Sequence, residues 1–97
     1  MKSLTEIKKI IAANKDVLKK NYNVDVIGIF GSYTKKNPTL NSDIDILVEF
    51  SKPINFFEFI KLEDFLSDLL SIKVDLVTKN ALKPLIKNDI LDQTVYL

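Results

Sequence analysis

Residues 24 to 50, VDVIGIFGSYTKKNPTLNSDIDILVEF, limit what this chain can fold into more than any other stretch. A β-branched run ends in Phe30, and Gly31 and Ser32 follow at once. Ten residues separate Ser32 from Asp43, and Ile44 and Asp45 follow at the head of a second apolar run. Side chains two apart on a strand share a face. One face of the second run therefore carries Asp43, Asp45, Leu47 and Glu49, and the other carries Ile44, Ile46 and Val48. The second face reads as core. The first begins with two acids side by side, which repel each other unless a cation neutralises them. Oxygen-only donors suit a hard ion such as magnesium, which completes its shell with water and substrate phosphate. Gly31 allows a tight turn and a close backbone approach to a ligand. Backbone N–H groups beyond it, with the Ser32 hydroxyl, suit a phosphate. A metal site beside a phosphate cradle points to nucleotide chemistry.

Composition narrows the chemistry. The 97 residues predict one domain, spanning 1–97. A hydrophobic content of 46% is enough for a real core. Fourteen basic and thirteen acidic residues leave a net charge of +1, which predicts neither direct nucleic-acid binding nor membrane-surface binding. No apolar run is long enough to span a bilayer, and MKSLTEIKK lacks the apolar core of a signal peptide. A cytoplasmic protein is expected. Cysteine is absent, which rules out disulfides, thiolate catalysis and zinc–sulfur sites. Histidine is absent too, so a general base has to be a carboxylate, Lys or Tyr.

The remaining elements follow from periodicity. Ser3 and Glu6 have capping-box spacing and open a helix to about Lys20, with Leu4, Ile7, Ile10, Ile11, Val17 and Leu18 as its stripe. Val24 to Phe30 is the first strand, with Asp25 a solvated residue near its start. Ser32 to Lys36 is expected to form a short helix ended by Asn37-Pro38. Asp43 to Phe50 is the second strand. Asn55 and Glu58 repeat the capping spacing and open a helix to about Leu70. Phe56, Phe59, Ile60, Leu62, Leu66, Leu69 and Leu70 form its apolar side, and Phe57 and Phe65 widen it. So apolar a helix serves first as core and second as a partner surface. Ile72 to Thr78 is the third strand, with Asp75 in its middle, where an acid is uncommon unless its face is open or the acid is used. Asn80 is expected to cap a last helix, Ala81 to Asp92, and residues 93–97 read as a tail. The order suggests an α/β (α+β) fold, with helices on one face of a small mixed sheet and an open face carrying the acids.

Gly31-Ser32, ten residues, then Asp43-Ile44-Asp45 is similar to the signature of the DNA polymerase beta-type nucleotidyltransferase superfamily. The short chain, FGSY and SDIDILVEF resemble its minimal nucleotidyltransferase branch, many members of which are antitoxins paired with HEPN-domain toxins. The resemblance implies that Asp43, Asp45 and Asp75 bind metal, two magnesium ions in all. It implies that Gly31 and Ser32 hold the outer phosphates of ATP. Lys35 stands where the family commonly has arginine and keeps a charge there, without arginine's bidentate fork. Lys36 replaces a family glycine. The implied reaction transfers AMP from ATP to a hydroxyl, a tyrosine by analogy, on a HEPN toxin, within a hetero-oligomer. The alternative from a different class is a non-catalytic antitoxin that neutralises the toxin by complex formation. A transferase acting alone on a small molecule is a third reading, disfavoured because no acceptor pocket is apparent in so short a chain.

Overall fold

A computed structural model describes residues 2–31 and 43–97. The elements are α1 (Leu4–Ala13), α2 (Lys15–Tyr22), β1 (Val24–Phe30), β2 (Ile44–Phe50), α3 (Phe56–Leu70), β3 (Val74–Thr78), a 3-10 turn (Lys79–Ala81), α4 (Pro84–Gln93) and β4 (Val95–Tyr96). The sheet order is β3-β2-β1-β4. β2 and β3 are parallel and joined through α3, while β1 runs antiparallel to both β2 and β4. The mixed sheet expected from the sequence is present.

Its core lies on one face. Ile27 and Ile29 of β1, Ile44, Ile46 and Val48 of β2, and Val74 and Leu76 of β3 meet Ile7, Ile11 and Leu18 from α1 and α2. Leu62, Leu66 and Leu70 recur every four residues on α3 and are fully buried, as one apolar stripe of a helix should be. Tyr22 stacks on Phe65 with ring centroids 5.0 Å apart, and Phe50 meets Phe59 edge-on. The first turn of α3 departs from expectation. Phe56 and Phe57 are 72% and 76% exposed and pack on each other.

The opposite face is not bare. Phe30, Asp45 and Asp75 lie on it, but so does Leu47, which is fully buried. Leu47 pairs with Gly28, and Gly28 leaves room for the Thr94 and Tyr96 side chains above it. A Cβ there would stand 2.5 Å from Thr94 Cγ2.

Three local expectations are corrected. The first helix is two, divided at Asn14, whose side-chain amide donates to the Ile10 carbonyl at 2.8 Å while its own carbonyl starts α2. An Asn side chain that competes for backbone partners ends a helix readily. The last helix starts at Pro84 with Lys83 as its cap, instead of after Asn80. The residue before proline avoids the helical region, and proline fits the first helical position, where no N–H is needed. The tail is not free. Val95 and Tyr96 pair with Ile29 and Gly28, and Leu97 N–H donates to Ile27 O. The short helix expected at 32–36 lies outside the described residues.

α3 begins with a full capping box. Glu58 N–H donates to Asn55 Oδ1 at 2.8 Å, and Glu58 returns a carboxylate to Asn55 N–H. Asn55→Ala is expected to cost about 1 kcal/mol, a fall in Tm of roughly 4–8 °C for a chain of this size, measurable by calorimetry.

α3 also guards the outer edge of the sheet. Ser67 Oγ accepts from Val74 N–H at 3.0 Å, and Glu63 Oε2 accepts from Leu76 N–H at 3.1 Å. These amides belong to the edge strand, whose open groups would otherwise be a template for pairing.

Candidate active site

The site forms where three strands meet. Asp45, second residue of β2, is in register with Phe30 at the end of β1 on one side and with Asp75 of β3 on the other. Parallel pairing of β2 with β3 therefore brings Asp45 and Asp75 onto one face as neighbours. Asp43 sits just before β2, held there by the Ile44 N–H bond to Lys73 O. Its carboxylate meets Lys73 Nζ at 3.8 Å, an exposed pair worth little to stability.

Gly31 closes the group from the β1 side. Its φ is +76°, in the region that favours glycine. A Cβ at this position would run into the Asp45 carboxylate. Glycine is thus required twice, for the turn and for the approach to Asp45. Of the six residues singled out in the sequence, the structure assembles Gly31, Asp43, Asp45 and Asp75. Ser32 and Lys35 lie outside the described residues.

The electrostatics match the geometry. Burial pushes the Asp45 carboxyl above the usual carboxylate range, and the charges of Asp75 and Asp43 push it further, as does a hydrogen bond with Asp75. Among the described residues no group of three carboxylates forms a ready-made metal cage. Asp45 and Asp75 face each other, while Asp43 engages Lys73. The donor set still fits a hard divalent ion: it is all oxygen, on rigid strands, and its mutual repulsion is what a cation would relieve.

An open cavity of about 600 Å³ lies at the other end of the sheet, between Val48–Phe56 and Thr78–Asn80. It contains none of the clustered aspartates and holds no comparable convergence of acids. Among the described residues no helix is long and apolar enough to cross a membrane. The sequence reading passed over Lys73, Glu63 and Ser67. The visible signal for the last two was a pair of polar residues four apart, beside the leucine stripe of α3.

A small mixed sheet with an Asp-x-Asp strand, a third aspartate on the parallel neighbour and a glycine turn against them defines a minimal nucleotidyltransferase. The chain belongs to the nucleotidyltransferase domain family, whose model matches residues 7–97. A protein of Methanocaldococcus jannaschii with the provisional name protein adenylyltransferase is 51% identical over 98 residues, covering all of both chains. The protein adenylyltransferase MntA of Thermococcus cleftensis is 41% identical over 97 residues, covering all of this chain and 98% of that one. A solved structure provisionally described as a minimal nucleotidyltransferase superimposes with a TM-score of 0.76 at 25% identity, over 94% of this chain and 95% of that one. A chain from a toxin–antitoxin structure with AMP-PNP gives a TM-score of 0.71 at 27% identity, over 93% of this chain and 70% of that one.

Proposed function

We propose that this chain is a protein adenylyltransferase that transfers AMP from ATP to a tyrosine hydroxyl of a HEPN-domain toxin, and so acts as that toxin's antitoxin. The observation that carries the proposal is the register of Asp45 with Asp75, with Gly31 against Asp45. The relative from Thermococcus cleftensis and the toxin–antitoxin structure with AMP-PNP support the nucleotide and the kind of partner.

Asp43, Asp45 and Asp75 would hold two magnesium ions, which when bound supply positive charge to the phosphates and the departing pyrophosphate. The chain's own residues do the rest. Gly31 and Ser32 offer backbone and hydroxyl donors to the outer phosphates, with Lys35 as a further charge. The acceptor hydroxyl oxygen bonds to the α-phosphorus of ATP as the bond from that phosphorus to pyrophosphate breaks. Its proton passes to the carboxylate of Asp75, which is exposed and so open to an incoming acceptor. The partner protein brings the acceptor, and a hetero-oligomer in the cytoplasm follows from this reading.

Exposed Phe56 and Phe57 favour a second reading, in which contact alone silences the toxin. Intact-mass spectrometry of the partner separates the two. Incubation with this chain, ATP and magnesium is expected to add one or more AMP units, and an Asp43→Ala/Asp45→Ala control none. An unmodified toxin, silenced in a stable complex, would leave only the binding reading.

A further inference from the structure

β3 is five residues long and forms the outer edge of the sheet. Alternate amides of a strand point the same way, so Val74 and Leu76 N–H both turn from β2 toward α3. There they meet Ser67 Oγ and Glu63 Oε2. Glu63 and Ser67 are four residues apart, one turn of α3 and on one face of it. That spacing advances about 6 Å along a helix, close to the roughly 6.6 Å between alternate residues of a strand. The helix therefore presents two acceptors at nearly the repeat of a neighbouring strand. Asp75 is the residue between the two amides they hold.

We infer that Glu63 and Ser67 are positioning residues for Asp75, fixing the register of β3 that sets its carboxylate beside Asp45. This rests on the transferase reading of the acid cluster. A slip of one residue would turn Asp75 into the core and Val74 onto the site face. The ladder to β2 resists that slip from one side of the strand, and the two side chains resist it from the other. Glu63 acts here as an acceptor and not as a charge. Glutamine, which keeps a carbonyl oxygen at the same reach, should replace it.

The test uses the full chain with Glu63→Ala, Glu63→Gln and Ser67→Ala. Amide hydrogen exchange is read at Val74 and Leu76, Mn2+ alone is titrated against the protein by calorimetry, and AMP transfer is resolved into kcat and KM for ATP. Glu63→Ala is expected to speed exchange at Leu76 and to weaken Mn2+ binding about tenfold. It should lower kcat more than it raises KM. Glu63→Gln should restore all three. Ser67→Ala should act in the same way through Val74, and it carries the test should Glu63→Ala fail to fold.

Release of the Leu76 amide with Mn2+ affinity unchanged would reduce Glu63 to an edge cap and overturn the inference. A glutamine variant as impaired as the alanine one would overturn it as well. Failure of the transferase reading looks different: the parent binds Mn2+ yet transfers no AMP, and the exchange and Mn2+ results still decide the positioning role. A parent that binds no Mn2+ overturns both.

Discussion

Asp45→Asn will abolish AMP transfer and yet, in a chelator, melt at a higher temperature than the parent chain. The first half follows from the place of Asp45 between β1 and β3, where it is in register with Asp75. With Asp45 holding metal as proposed, its loss removes several kcal/mol of charge stabilisation, a rate loss on the order of 10³-fold or more. The second half follows from what the carboxylate costs the metal-free fold. Its pKa is raised by burial, then by the charges of Asp75 and Asp43, then by the hydrogen bond with Asp75. The folded state thus holds a proton that the unfolded state releases at lower pH. Stability of the metal-free protein falls as pH rises from the ordinary carboxylate range through the folded value. Asn carries no charge to oppose and removes that loss. Asp45 is only partly buried, which keeps the gain modest. Magnesium should reverse the order, stabilising the parent and not the variant. Calorimetry of both proteins in chelator and in magnesium checks this, and a variant less stable than the parent in chelator would count against a strained acid cluster.

Gly31→Ala carries the second large effect. A side chain at φ +76° costs about 1–2 kcal/mol, a fall in Tm of roughly 4–8 °C per kcal/mol. The larger consequence is positional. The new methyl would collide with the Asp45 carboxylate, so the acid, the turn or both must move. Misplacing a reacting group by about 1 Å can cost 10²-fold in rate. Gly28→Ala is the comparison. Its methyl meets Thr94 Cγ2 and Tyr96, which belong to the packing of the C-terminal strand. Assayed well below both melting temperatures, Gly28→Ala should keep most of its turnover and Gly31→Ala should lose it. Equal activity in the two would mean that the close approach of Gly31 to Asp45 is unimportant.

These effects could be argued in outline from the chain itself, because the site is written in short spacings. β1 spans Val24–Phe30 as its apolar run suggests, and the alternation after Asp43 places acids and core on opposite faces of β2. Asp75 stood out as an acid inside a β-branched run, and pairing of β3 with β2 explains it. The features that were not legible depend on partners distant in sequence or on one residue's local choice. Asn14 divides a helix whose apolar stripe continues across the break, since its amide takes a backbone carbonyl. Val95 and Tyr96 make too short a strand to carry a pattern, and only β1 beside them makes them one. Phe56 and Phe57 look like core by composition, but they fall on the first turn of α3, beyond the sheet's cover. The edge contacts of Glu63 and Ser67 required the direction of two amides, which no periodicity reveals.

The pairing of β4 with β1 has a consequence for how the chain is assembled. Tyr96 and its partner Gly28 lie far apart in sequence. Contacts so far apart in sequence close late. Until they do, among the described residues only β2 flanks β1, and a half-finished sheet offers its Val-Ile-Gly-Ile backbone to any strand that comes near. The two-residue strand at Val95–Tyr96 thus occupies, within the same molecule, the flank of β1 that another strand could otherwise take.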